Sequence, residues 1–570
     1  MDRQILIRIR IIAVFLLVST LITSYQLYRL QVVEGNSFSR RGESQYARPA
    51  NTLAHRGNIF FKAKNGTLIS AAMTARGYSL TIGSAAASST KDASSYAALI
   101  DFLKKEEGVA VSESKDGPGE KIVARRIPKE DLEKIKKFNA PGLELYEDFW
   151  REYPSDTMAS HALGFVGYEG DKVLGRYGVE RYYNDALEAK SDHGFVNLFA
   201  EIFGDSLFSG DEKSKIGDDL ALTIEPTAQN FLERKLDGLM EKWKAKSTGG
   251  IIVNPRTGEL YAMAARPSFD PNFFQKETNP AIFSNPLVEN VYEMGSIIKA
   301  LTMSAGLETK AITAQTTYFD NGSIEIDKAQ IFNFDKKGRG KVDMQEVLNH
   351  SLYTGAAFVA QKVGKEKFVE YMQKFGLGEE TGIDLPGETY GLIDNLKSPR
   401  SIEYITASFG QGIALTPIAT VRALSALANG GVPTTPHITK EIREPGGVAK
   451  KITFPPAERV ISEKTSEEIS RMRVRVVDEA LLNGAVKLPH YSIAAKTGTA
   501  QIAKPSSKGY YDDRFMHTFF GYFPAYDPRF LIFLYLEEPK GERYAAYTLT
   551  EPFMETTKFL LNYYEVAPDR

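Results

Sequence analysis

The chain has 570 residues, 43% hydrophobic and 25% charged, with 70 basic and 72 acidic side chains and a formal net charge of −2. That balance excludes a disordered chain, a bundle of membrane spans and a charge-driven binder of nucleic acid, and the length predicts several structural units. With no cysteine and seven histidines, disulfides, thiolate chemistry, iron–sulfur clusters and cysteine-held zinc drop out, and no His-Glu-x-x-His pattern suggests a histidine metal site.

The first readable element runs from Ile11 to Tyr28, an apolar stretch without a charge that reaches about 27 Å as a helix, close to the thickness of a bilayer core. Arg3, Arg8 and Arg10 precede it, so the positive-inside rule predicts a cytoplasmic tail over 1–10 and an extracytoplasmic chain beyond Arg29. No Ala-x-Ala-like site follows in Thr23 to Tyr28, which favours an uncleaved single-pass anchor over a signal peptide. Residues 29–246 mix short apolar runs with charged stretches, the texture of an extended α+β region. Ser84–Ser95, rich in Ala and Ser, and the polar Gly204–Asp219 read as surface loops.

From Gly249 the texture changes. Gly249–Asn254 and Glu259–Ala264 flank the turn formers Pro255 to Gly258, and His517–Phe523 and Arg529–Leu536 flank Pro524 to Pro528, so two hairpins bracket the C-terminal half. Between them the texture is helical, with runs over Lys299–Leu307 and over Thr416–Asn429, the second closed by Gly430 and Gly431. Tyr491–Ile502 reads as a further strand. Strands from both ends with helices from the middle predict an α+β domain over 247–570.

Ser-x-x-Lys occurs at Ser88/Lys91, Ser112/Lys115 and Ser296/Lys299, against about two expected by chance from average composition. Ser296 differs from the others: Gly295 precedes it and a helical run follows, which predicts its hydroxyl at a helix N-terminus with Lys299 on the same face. A lysine there can take a proton only if burial or a second cation disfavours its charged form. Lys496-Thr497-Gly498-Thr499 occurs once, within the predicted strand. Its ammonium, hydroxyls and glycine suit a carboxylate-bearing substrate, and by itself it also fits an ordinary exposed strand.

Together, Ser-x-x-Lys ahead of a helix and Lys-Thr-Gly on a later strand form the signature of serine acyltransferases that act on β-lactams and D-Ala-D-Ala peptides. The chain resembles the class B penicillin-binding proteins, membrane-anchored peptidoglycan D,D-transpeptidases. Arg56-Gly57-Asn58-Ile59, Asn65-Gly66, Arg151-Glu152-Tyr153-Pro154, Leu163 to Gly167 and Gly178-Val179-Glu180 are similar to the family's pedestal, or dimerisation, domain. Leu222-Thr223-Ile224 with Gln229, Asn254 to Glu259, Pro267 with Phe269 to Asn272, and Phe409 to Ile413 are similar to its transpeptidase domain. The resemblance implies a β-lactamase-like fold, an antiparallel sheet with helices on both faces. It also implies Ser296 as nucleophile, Lys299 as general base, the backbone N–H groups of Ser296 and Thr499 as oxyanion hole, and Lys496, Thr497, Gly498 and Thr499 around the substrate carboxylate. No metal or cofactor is implied. The partners implied are stem peptides, β-lactams and a SEDS-type glycan polymerase.

One motif departs from the family. Where it writes Ser-x-Asn, this chain has Ser351-Leu352-Tyr353. Ser351 can still relay a proton, whereas Tyr353 offers one hydroxyl and a bulky ring in place of a carboxamide. The substitution keeps open a second class, a scaffold with weakened chemistry that binds the polymerase through anchor and pedestal. A β-lactamase or β-lactam sensor is a third class, disfavoured by the long pedestal.

Overall fold

A computed structural model describes residues 52–82, 93–106, 109–111, 121–138, 143–169, 172–188, 216–455, 457–504 and 509–570, with the short segments 20, 47–49 and 195–197. The expected anchor over 11–28, apart from Thr20, lies outside the described residues, as do Ser88, Lys91, Ser112 and Lys115. Among the described residues no helix is long and apolar enough to cross a membrane.

The chain divides into two compact units. The smaller draws its described residues chiefly from 76–149, with short pieces within 1–56 and 188–217. Its helix Ala93–Lys105 places Leu99 and Leu103 against Leu80, Ala124 and Ile127 of a small antiparallel sheet. The larger unit comprises 57–75, 150–187 and 218–570. In it three of the resemblance motifs converge on one buried ion pair. Arg151 Nε meets Glu180 Oε1 at 2.6 Å, with both side chains at 3% exposure or less. Arg151 Nη1 also donates to the Gly57 carbonyl at 2.8 Å. Both charges are buried, so each depends on the other for compensation.

The larger unit is built on a five-stranded sheet: β1 (Ser247–Val253), β2 (Leu260–Arg266), β3 (Ala494–Ala503), β4 (Tyr510–Phe523) and β5 (Phe530–Glu537), in the order β2-β1-β5-β4-β3. Every pairing is antiparallel. Strands of alternating residues that are apolar throughout can bury both faces, and the flanking helices exploit this. Those used below are α1 (Pro226–Trp243), α2 (Lys299–Glu308), α3 (Tyr353–Val363), α4 (Pro417–Ala428), α5 (Glu463–Arg475) and α6 (Thr550–Tyr563). Leu531, Phe533 and Tyr535 of β5 join the core that includes Leu301 of α2, Leu424 of α4 and Met472 of α5. The intervening Phe530, Ile532, Leu534 and Leu536 join the opposite core with Leu236 of α1 and Phe553 of α6. Each such side chain contributes roughly 1.5–3 kcal/mol when fully buried, so the sheet is a stiff base for the residues on its edge.

Helix starts are locally encoded. Thr416 caps α4, its hydroxyl accepting from Ala419 N at 3.1 Å ahead of Pro417, and Glu225 accepts from Ala228 N at 2.7 Å to cap α1 ahead of Pro226.

Three expectations need correction. The strand predicted from Tyr491 begins at Ala494, because Ser492 N donates to Asp569 and its carbonyl accepts from Ala525 N. The run predicted from His517 begins at Tyr510, because β4 extends along the whole of β3. The helical texture between the hairpins is interrupted by two antiparallel ribbons, Thr317–Asp320 with Gly340–Asp343 and Ser323–Ile326 with Ala329–Phe332.

Candidate active site

The Ser296 segment enters α2 through a tight turn, Gly295–Ile298, that runs directly into the helix at Lys299. Gly295 has φ of +60°, and its N–H donates to the Gly410 carbonyl at 3.1 Å. A Cβ at Gly295 would lie 2.9 Å from the Thr499 carbonyl oxygen, and one at Gly498 would lie 2.3 Å from Thr518 Oγ1 and 2.6 Å from the Met294 carbonyl. Both contacts are shorter than side-chain carbons tolerate, so glycine at these positions lets the serine turn lie against β3. Thr518 Oγ1 donates to the Met294 carbonyl at 2.8 Å and ties turn and sheet together.

Ser296, Lys299 and Lys496 are all buried. Lys299 Nζ donates to the carbonyl oxygen of Ser351, and to its hydroxyl at 3.2 Å. Ser351 has φ of +53°, a left-handed conformation rare for serine, held between the helix Met344–Asn349 and α3. Burial, and then the charge of Lys496, drives the Lys299 amine well below the usual lysine range. Burial likewise pushes Lys496 down to about 7, with Arg473 adding to the effect. Lys496 Nζ donates to the Thr497 carbonyl at 2.9 Å and weakly to its hydroxyl at 3.4 Å. The Thr499 hydroxyl accepts from Ala545 N at 3.1 Å.

Tyr353 is the first residue of α3. Its ring stacks on Phe409 at 4.7 Å with 1° between the planes, and Lys299 Nζ lies 4.1 Å from its centroid. Its hydroxyl lies near the Ser296 side chain, and burial raises its pKa, so it remains a neutral phenol. The ring therefore stands where Ser296, Lys299 and Phe409 meet.

All eight residues singled out from the sequence thus belong to one region of one compact unit: Ser296, Lys299, Ser351, Tyr353, Lys496, Thr497, Gly498 and Thr499. Sequence reasoning missed what supports them. Asn333, buried just after the second ribbon, accepts from Tyr353 N at 3.0 Å and Thr354 N at 3.3 Å, and its amide donates to both oxygens of Asp320 at 3.0 Å. It caps α3 from outside the helix, so no N-cap residue in the local sequence signals it. Arg473 is the other omission.

Comparison with known proteins defines the class first. Residues 248–557 match the penicillin-binding protein transpeptidase domain, and 51–221 match the penicillin-binding protein dimerisation domain. The stage V sporulation protein D of Bacillus subtilis is 33% identical over 458 residues, covering 79% of this chain and 70% of that protein. The peptidoglycan D,D-transpeptidase FtsI of Buchnera aphidicola is 27% identical over 454 residues, covering 78% and 76%. The crystal structure of penicillin-binding protein 3 from Mycobacterium tuberculosis with aztreonam aligns with a TM-score of 0.68 at 22% identity, over 92% of this chain and 98% of that one. This likeness establishes the shared fold. The chain belongs to the class B penicillin-binding proteins, a family of cell-wall synthesis.

Proposed function

We propose that this protein is a D,D-transpeptidase that crosslinks peptidoglycan stem peptides through an acyl-enzyme on Ser296. The observation that carries the reading is Lys299: a buried amine on the helix that Ser296 opens, bonded to Ser351 and depressed by a second buried lysine. A neutral amine there can take the Ser296 proton as Oγ bonds to the penultimate D-Ala carbonyl carbon. The resulting oxyanion would sit between the N–H groups of Ser296 and Thr499. The C–N bond then breaks. The departing D-Ala nitrogen takes the proton back from Lys299 through Ser351, and the amine of a second stem peptide attacks the ester carbonyl, giving up a proton that returns through Lys299 to Ser296 Oγ as the ester C–O bond breaks. Lys496, Thr497 and Thr499 would hold the terminal carboxylate. β3 is the edge strand, so the donor peptide can add to it as a further strand.

In this reading β-lactams enter as donor mimics, the Ile11–Tyr28 anchor holds the catalytic region outside the membrane, and a SEDS-type polymerase supplies the glycan. The test is labelling with a fluorescent penicillin, followed by mass spectrometry of the modified peptide. Label on Ser296, and none on a Ser296→Ala chain, is expected. An unlabelled wild type, or label elsewhere, refutes the acyl-enzyme.

Tyr353 favours a second reading. Its ring covers Lys299 and occupies the place of a carboxamide, which fits a scaffold whose chemistry is weakened. A Ser296→Ala chain that still supports growth, where deletion of the anchor does not, would favour the scaffold.

A further inference from the structure

Helix α5 carries arginines at 471, 473 and 475. Arg471 and Arg475 share one face and pair with Glu468 and Glu479 at 2.7 and 3.0 Å. Arg473, two residues from each, lies on the opposite face, inside the core. It is fully buried, and among the described residues none of its three guanidinium nitrogens has a hydrogen-bond partner. The guanidinium carbon is 4.7 Å from the centroid of Phe520, and Phe520 stands directly opposite Lys496 in the ladder between β3 and β4. Arg473 and Lys496 therefore flank the same ring on the same face of the sheet. An unpaired buried charge destabilises a fold, so its retention asks for a role.

We propose that Arg473 is a positioning residue for acyl transfer, a fixed buried charge behind Phe520 that acts through Lys496 and keeps the two site lysines from both holding protons. The inference rests on Ser296 being the acylated residue. Burial pushes the guanidinium down to about 10, so it stays charged at neutral pH. The charged groups that act with Lys496 are Lys299 of α2 and Arg473 of α5; Tyr353 of α3 lies against Lys299, Tyr522 of β4 acts on Arg473, and Arg543 and Tyr544 bear on Tyr353. No carboxylate acts on Lys299, Lys496 or Arg473 among the described residues. The carboxylate of a stem peptide or a penicillin brings the missing negative charge, and its arrival draws a proton from solvent onto Lys496.

The experiment measures the second-order rate of acylation by a fluorescent penicillin across pH for the wild type, Arg473→Met and Arg473→Lys, with mass spectrometry locating the label. In Arg473→Met the lysines hold their protons to higher pH, and the acid limb should move up by about one pH unit; Arg473→Lys, whose amine would lose its charge in the same dry core, should move the limb in the same direction. Arg473→Met should also melt at or above the wild-type temperature, since it removes a charge without partners. A folded Arg473→Met with an unmoved limb overturns the inference. So does a Met variant that melts lower or fails to fold, because the guanidinium would then be holding the helix. Failure to label Ser296 in the wild type counts against the acyl-enzyme itself, which separates the two failures.

Discussion

Replacing Tyr353 by Asn tests how much the departing motif restrains the chemistry. The ring sits 4.1 Å from Lys299 Nζ, and a cation–π contact in a desolvated site stabilises the charged lysine by about 1–2 kcal/mol. Removing it shifts Lys299 toward the neutral amine by roughly tenfold. The asparagine adds a carboxamide able both to donate and to accept, worth about 1 kcal/mol in the acylation barrier. On the acid limb, where Lys299 still holds its proton, the two effects add, so Tyr353→Asn should raise the second-order rate of penicillin acylation about ten- to a hundredfold; where the amine is already neutral only the carboxamide's share, about fivefold, remains. The gain has a cost in stability. Phe409 loses the ring stacked on it at 4.7 Å, and a large-to-small change at such a contact costs about 2–4 kcal/mol. The assay is rapid-quench labelling at a temperature where near-ultraviolet circular dichroism shows the variant folded. A folded Tyr353→Asn that acylates no faster than wild type refutes the reasoning. Tyr353→Phe keeps ring and stack and removes only the hydroxyl near Ser296, so it should reproduce none of the gain. If it does, the hydroxyl rather than the ring is the restraint.

Two further outcomes follow from buried charge. Glu180→Ala strands Arg151 in a site where both side chains are 3% exposed or less, and should cost about 3–5 kcal/mol in urea unfolding of the larger unit; an unchanged midpoint would mean that water already reaches the pair. Lys496, pushed down to about 7 from 10.5, holds its proton less tightly when folded than when unfolded. The unfolded chain therefore binds more protons between those values, and stability rises with pH across that window, by up to about 5 kcal/mol in total. Lys496→Met should flatten this slope in urea melts across the window, and an unaltered slope refutes the assignment.

Much of the fold was legible because its signals are local or periodic. β5 reads as a strand because Phe530 to Leu536 is an unbroken apolar run, and the two cores divide that run by strict alternation. α4 reads as a helix because Thr416, Pro417 and Gly430 mark its two ends in the sequence. The active-site residues were legible as spaced triplets, although spacing alone also selected Ser88 and Ser112. The ribbons went unread because the second turns at Asp327-Lys328, two positive-φ residues with no glycine to signal them, and the first pairs strands far apart in the sequence. Arg473 was readable in principle: 471 and 475 share a face by helical spacing, which puts 473 with Ile469 and Met472 on the buried side. A helix with so many charges invites the assumption that all of them face water. Asn333 had no such signal, since the helix end that it caps lies twenty residues further along the chain.

The same burial that builds the sheet also prepares the chemistry. Lys496 and Phe520 face each other across β3 and β4, and Phe520 belongs to the core that α2, α4 and α5 close. A lysine loses its charge there because the aromatic and aliphatic side chains that stabilise the sheet leave no room for water around the ammonium. Glycine at 295 and 498 permits the close approach, and Thr518 locks it. Loosening that core would admit water to both lysines and restore their protons before the fold itself was lost. Stability of the larger unit and the availability of a neutral base at Lys299 are therefore coupled through the same side chains, and the base depends on packing more than on any single hydrogen bond.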